Sequence, residues 1–242
     1  PNNRTAWVAA QKVNMYAGLH RDTVALQPDT TVRSIASVLD LDNGQDIYNQ
    51  RIDLDNSSQP SAVFFSPLGD YAFVLMQGNN AINVLDRLDG NLLVTRIETG
   101  LAPQGFCYDP GTGRLFTKNF MDRTVSVFDL DNFLQTGGVP VAQIATIPTV
   151  ETEKLSANVL RGKKIFYNAQ DDRMSMDDYI SCASCHLDGG HDGRTWDFTQ
   201  RGEGLRNNIS LLGRSGTGQG NQHWTGNFDE SQDFENDIRN HF

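Results

Sequence analysis

Cys182-Ala183-Ser184-Cys185-His186 is the stretch of this chain whose residue types and spacing can do chemistry. Two thiols three positions apart can add across the two vinyl groups of a porphyrin, while the adjacent imidazole reaches the iron. The spacing is that of a covalent haem c attachment site, with Cys182 and Cys185 as the tethers and His186 as proximal ligand. Two other chemistries use neighbouring cysteines. A thioredoxin-like dithiol follows a strand in a βαβ unit and needs no histidine; nothing around Ile180 has that pattern. A zinc site wants a second ligand pair at matching spacing, whereas Cys107 is remote and His191 and His223 follow singly. Haem c, one in this chain, is the expected cofactor.

The elements that must position this stretch follow from the rest of the sequence. At 242 residues, with 38% hydrophobic and 21% charged residues, the chain has room for one large domain or two smaller ones. No apolar run reaches membrane-spanning length. A net charge of −10 argues against nucleic acid or an anionic membrane as partner. It suits a basic redox partner, and it is also ordinary solubility. Pro1 and Phe242 read as cut ends, so a piece of a longer protein is expected. Cys107, in the apolar run from Gly105 to Tyr108, is expected to be buried and inert. Haem c is assembled outside the cytoplasm, which predicts a periplasmic or extracellular protein.

Residues 1–150 repeat with a spacing of 43. Pro60 recurs as Pro103, Pro67 as Pro110, Phe73 as Phe116, Asn79 as Asp122, Val84 as Val127 and Asp86 as Asp129. Each unit is a series of short Val/Ile/Phe-rich strands separated by Gly, Asn, Asp and Pro turns. An earlier copy joins Trp7 to Gln11 with Ser37 to Asp40, interrupted by an insertion from Met15 to Thr30 in which Gly18 to Asp22 reads as a surface loop. The period is that of propeller blades, and about three are present, fewer than a closed propeller needs. The segment Phe64-Phe65-Ser66-Pro67-Leu68-Gly69-Asp70 with Val84-Leu85-Asp86 resembles the YVTN/NHL class of β-propellers.

Residues 151–242 follow a linker at 148–153. Ser156 is placed to cap a helix over Ala157–Tyr167, and a polar loop carries Met174 and Met176. Arg161 to Asn168, Met174-Ser175, and Ile180 to His186 resemble the opening of the bacterial di-haem cytochrome c peroxidase/MauG family. Gly190-His191-Asp192-Gly193-Arg194, Arg206-Asn207-Asn208, and His223-Trp224 with Gln232 continue the pattern. That resemblance implies a helical, cytochrome c-like haem domain, and so a multidomain fold of partial β-propeller plus α-helical module. Thr199 to Gly204 lacks the distal histidine of the peroxidases, which is closer to MauG. The tryptophan segment departs from the family as Trp224-Thr225-Gly226-Asn227. The second haem motif of the family is absent from this chain.

The sixth ligand decides between ligand activation and electron passage. An open distal face is the first expectation, with His223 as the alternative metal ligand. His191 is placed to hydrogen-bond nearby groups, and Met174 and Met176 to pack. Gln232 and Glu235 are the candidate catalytic residues for orienting peroxide, on a helix expected over 229–242 with Phe234, Ile238 and Phe242 on one face. Arg194, Arg201 and Arg206 are candidates for the haem propionates, and Trp196 and Trp224 for packing near the porphyrin. Three functions follow. The first is an extracytoplasmic haem oxidoreductase of the di-haem peroxidase type, with hydrogen peroxide as reactant and a redox protein or second haem domain as partner. The second is a non-enzymatic electron-transfer cytochrome docked through its propeller. The third is a binding or assembly protein in which haem is chiefly structural.

Overall fold

The computed structural model describes residues 4–14, 31–175, 177–199, 203–213 and 220–235. The first sheet is built on a long antiparallel pair, β1 (Thr5–Val13) and β2 (Val32–Asp40), with Trp7 opposite Val38. Two short strands, β3 (Gln45–Asp46) and β4 (Ile52–Leu54), complete it by pairing with β2. The second sheet is an antiparallel meander of β5 (Pro60–Phe65), β6 (Tyr71–Met76), β7 (Ala81–Asp86) and β8 (Leu92–Glu98). The third repeats it as β9 (Pro103–Asp109), β10 (Arg114–Asn119), β11 (Thr124–Asp129) and β12 (Ala142–Pro148). The first three strands of these two blades start at the 43-residue spacing. The outer strand β12 starts later because helix α1 (Asp131–Thr136) is inserted before it.

Strand β6 shows why these sequences form blades. Its side chains alternate faces, and both faces are covered. Phe73 and Leu75 pack with Ile82, Val84, Leu115, Phe128 and Leu130 toward the third blade. Ala72, Val74 and Met76 pack with Leu54, Trp7 and Phe65 toward the first. A strand buried on both sides needs an unbroken apolar run rather than alternation, and Tyr71-Ala72-Phe73-Val74-Leu75-Met76 supplies it. Helix α1 adds Phe133, 1% exposed, whose ring lies 4.8 Å from Tyr71 and 6.1 Å from Phe73. It stops at Gly137, whose φ of 70° lets its N–H bond Phe133 O.

Cys107 is exposed, not buried. The same alternation is the reason: its neighbours Phe106 and Tyr108 turn into the inter-blade core, so the thiol between them must point away. The Gly18–Asp22 loop lies outside the described residues.

The expected α-helical cytochrome domain is not what the described part of residues 151–242 forms. Its described part holds one helix of three turns, α2 (Ala157–Tyr167), and the single turn α3 (Cys182–Cys185). A hairpin, β13 (Thr195–Phe198) and β14 (Gly204–Asn207), and short 3-10 turns make up the rest of its regular structure. Ser156 caps α2 as expected, its Oγ accepting Val159 N–H. Helix beyond α3 is stopped by Asp188, Gly189 and Gly193, all at positive φ. The alternation of Thr195-Trp196-Asp197-Phe198 then favours strand. Of the helix expected over 229–242, the described residues show a 3-10 turn at Ser231–Asp233; residues 236–242, with Ile238 and Phe242, lie outside them. Among the described residues no helix is long and apolar enough to cross a membrane.

Truncating Phe73 to Ala removes a ring that is 0% exposed and is expected to cost about 3–5 kcal/mol in denaturant unfolding. Cys107→Ser should change stability by less than about 0.5 kcal/mol, and a thiol reagent should modify Cys107 in the folded protein.

Candidate functional site

Helix α3 is one turn long, and its two sides have different surroundings. Ser181, extended, donates its N–H to Ser184 Oγ at 3.0 Å, and His186 N–H bonds Cys182 O at 3.0 Å. Ala183 and Ser184, between the cysteines, are 0% and 4% exposed. Cys182 and Cys185 are half-buried and unbridged. Burial pushes both thiols up. Cys185 reaches about 12, with the Asp192 charge and Cys182 adding to burial and Arg194 opposing. Both groups are therefore neutral thiols at neutral pH, unlike the low-pKa thiolates of redox dithiols and metal sites.

His186 leaves the helix with its ring anchored. Nδ1 lies 3.0 Å from Ile209 O and 3.3 Å from Gly190 O. Carbonyl oxygens only accept, so Nδ1 carries the proton and Nε2 presents its lone pair in the neutral ring. The surrounding loops are fixed by side chains. Asn208 donates to Cys185 O, and Tyr167 OH donates to Asp188 Oδ1 at 2.9 Å. Burial, then the Asp188 bond, raises the Tyr167 phenol to about 12. Trp196, 5% exposed, packs with Val32, Ile180 and Cys185 and donates Nε1–H to Asp192 Oδ2 at 3.0 Å.

The other residues singled out in the sequence are spread around this centre. Arg194 is half-buried and electrostatically close to Cys185. Arg206 donates from Nη1 to Leu205 O, while its buried Nε has no hydrogen-bond partner among the described residues. Trp224 is 55% exposed and donates to Asn207 O. His223 stacks on Phe228 at 5.1 Å and meets Phe234 edge-on. Its Nδ1 is 3.1 Å from both Asn227 Oδ1 and Glu203 Oε2. The Glu203 approach falls outside hydrogen-bond geometry, so Asn227 is the hydrogen-bond partner of Nδ1. Gln232 and Glu235 are exposed on the last described turn. His191 Nδ1 accepts Gly193 N–H at 3.0 Å, and Met174 is half-buried. Arg201 and Met176 lie outside the described residues. Among those described, no group of three or more His, Cys, Asp or Glu side chains is placed to hold a metal ion.

The residues that position α3 come from the propeller, and the sequence reading passed them over as turns. Asn80, at φ 53°, donates from Nδ2 to Asn168 Oδ1 and Gln170 Oε1 and accepts Ala102 N–H. Asn79 accepts Ser58 N–H at 2.6 Å and donates to Asp178 O at 3.1 Å. Gly78 O accepts Ala169 N–H, and a Cβ at Gly78 would meet Ser58 at 2.7 Å, so the turn needs glycine for this approach. Tyr179 OH donates to Asp55, with Arg33 over its ring and paired with the same carboxylate. The signal available was the repeat itself, which sets Asn79 against Asp122.

No family model matches the chain, and no curated protein matches it. Solved structures that match it include a periplasmic gluconolactonase from Pseudomonas aeruginosa: 13% identity, TM-score 0.43, covering 63% of this chain and 41% of that one. Hydrazine synthase from Kuenenia stuttgartiensis matches at 16% identity and TM-score 0.40, covering 62% and 60%. A putative 6-phosphogluconolactonase from Bacteroides fragilis matches at 16% identity and TM-score 0.38, covering 48% and 35%. The chain thus spans less than two thirds of the length of each. The resemblance to the di-haem peroxidase/MauG family does not hold: no model of any family matches, and the described part of residues 151–242 does not fold as its helical domain. The peroxidase and electron-transfer cytochrome functions that rested on it fall with it.

Two carboxyls beside the Asn79–Asp178 contact are held above the usual carboxylate range. For both Glu98 and Asp178 burial is the main cause, with Arg96 opposing it and acidic neighbours adding to it. A raised value in the folded state favours the protonated form. Their contribution to stability therefore falls as pH rises from the ordinary carboxylate range through the raised one. Glu98→Gln is expected to stabilise the fold at about pH 7 and to do so less at about pH 4, where the wild-type carboxyl is largely protonated. Urea midpoints at the two pH values check this; an equal gain at both would refute it.

Proposed function

We propose that this chain is a β-propeller binding protein carrying one covalent haem c at Cys182 and Cys185, with His186 as iron ligand and the haem as a structural part of the assembly. The observation that carries the reading is the His186 ring: Nδ1 bonds Ile209 O and Gly190 O. Histidines that bind metals usually donate their other ring N–H to a carbonyl in this way, which fixes the tautomer and raises the basicity of the ligating nitrogen. Three further features fit the group. The thiols are unbridged, as addition to vinyl groups needs. The buried Arg206 Nε lacks an acceptor, which a propionate would supply. Trp196 gives the cysteine side an apolar wall.

When bound, a haem supplies an iron atom and a broad apolar surface; the chain's own residues tether it, fix the imidazole and pair its carboxylates. Assembly of haem c outside the cytoplasm makes the periplasm or the cell exterior the expected location.

Expressed together with a c-type haem maturation system, the chain should retain haem after denaturation and acid extraction. Cys182→Ala/Cys185→Ala should lose it entirely, and His186→Ala should keep the tether while its ferrous spectrum changes. Haem fully extractable from the wild-type chain would sink the proposal.

A further inference from the structure

The tops of the second and third blades share one backbone frame. Gln59 and Ala102, repeat-equivalent, both sit at left-handed φ, 53° and 51°. Gln77 N–H bonds Gln59 O, and Gly78 N–H bonds Ser58 O. Phe120 N–H bonds Ala102 O, and Met121 N–H bonds Leu101 O, in the same places one repeat later. Asn79 accepts Ser58 N–H as Asp122 accepts Leu101 N–H. The frames match, but what they present differs. The third top offers Leu101, Ala102, Phe120 and Met121, which pack with Phe166, Tyr167 and Ala183. The second top offers hydroxyl and amide groups: Ser58 Oγ lies 3.3 Å from Ser184 Oγ, and Gln59 Oε1 accepts from Ser181 Oγ at 3.3 Å.

We infer that these tops form a two-sided seat that reads Ala183 and Ser184 and so sets the register of the attachment turn; the inference rests on the haem reading of Cys182–His186. Ala183 goes to the apolar side and Ser184 to the polar side. A slip of one position would set a hydroxyl against Ala102 and Met121, leave Ser58 without its hydroxyl partner and push a cysteine into the blades. Each of these costs free energy. In the observed register the Cys185 side chain packs with Val32, Ile180 and Trp196 rather than against the seat, and the His186 ring meets Ile209 and Gly190. Ala183 and Ser184 are positioning residues, since they touch neither thiol chemistry nor iron.

The test uses the full chain without haem, so it does not depend on whether haem binds. Ala183→Ser/Ser184→Ala keeps composition but reverses polarity across the seat. Amide exchange at residues 181–190 should rise about tenfold or more, with β6 and β10 protected as before. The 15N shifts of the His186 ring should move from a pure Nδ1–H tautomer to a mixture, which a role in packing alone would not cause. Ser58→Ala, altering the seat from the propeller side, should raise exchange in the same segment. Unchanged exchange and tautomer in the double variant, or an equal loss of protection in β6 and β10, would overturn the inference.

Discussion

A left-handed residue at the entry to a blade, held by the turn two strands on, is the constraint from which the rest of this arrangement follows. It forces Ser58-Gln59 and Leu101-Ala102 to lie flat across the blade tops, where their side chains face whatever is set on them. Few residues adopt that backbone conformation without strain, so each top must recover the cost in bonds. The paired N–H donations of Gln77 and Gly78, and of Phe120 and Met121, do this. Once the frame is fixed, side-chain chemistry alone decides what it holds.

The choice between Asn79 and Asp122 shows that logic. Both accept one backbone N–H from the entry segment. Asn79 must also donate, because the atom opposite is the carbonyl oxygen of Asp178, and an amide can do both where an ionised carboxylate only accepts. Asp122 faces Lys164 Nζ at 3.1 Å, where a carboxylate serves. An amide fits a turn already crowded by acid: Glu98, Asp178, Asp172 and Asp177 lie near one another, with Arg96 as their counter-charge.

Much of the propeller was legible in the sequence. A 43-residue spacing placed the strands of the second and third blades, because each repeat sets apolar side chains at the same places of the core that the two blades share. Ser156 marked the start of α2 because a cap is a local event. Three things were not legible. Cys107 in an apolar run gave no sign of which face it took, since alternation fixes relative and not absolute orientation. Short motifs around Arg161, Arg194 and Arg206 matched a helical family, but glycines and left-handed aspartates between them direct the chain into turns and a hairpin. The seat at Ser58, Gln59, Asn79 and Asn80 was hidden because Gly-Asn-Asn reads as a turn wherever it occurs; its partners lie about 90 to 126 positions away.

The motif and the fold bear on different questions. A fold does not carry a chemistry, and a site can be grafted on any scaffold that holds its atoms. Nothing about Cys-x-x-Cys-His requires a bundle of helices. It requires one turn to bring two thiols to one side, an anchored imidazole, and a rigid surface against the other side. Here the turn is α3, the anchors are Ile209 O and Gly190 O, and the rigid surface is a pair of blade tops that share one buried core. Stiffness in a propeller comes from packing between blades rather than from any element on its own. A site seated across two blades therefore inherits the rigidity of their shared core, from Phe73 and Leu75 to Leu115 and Phe128, without a domain of its own.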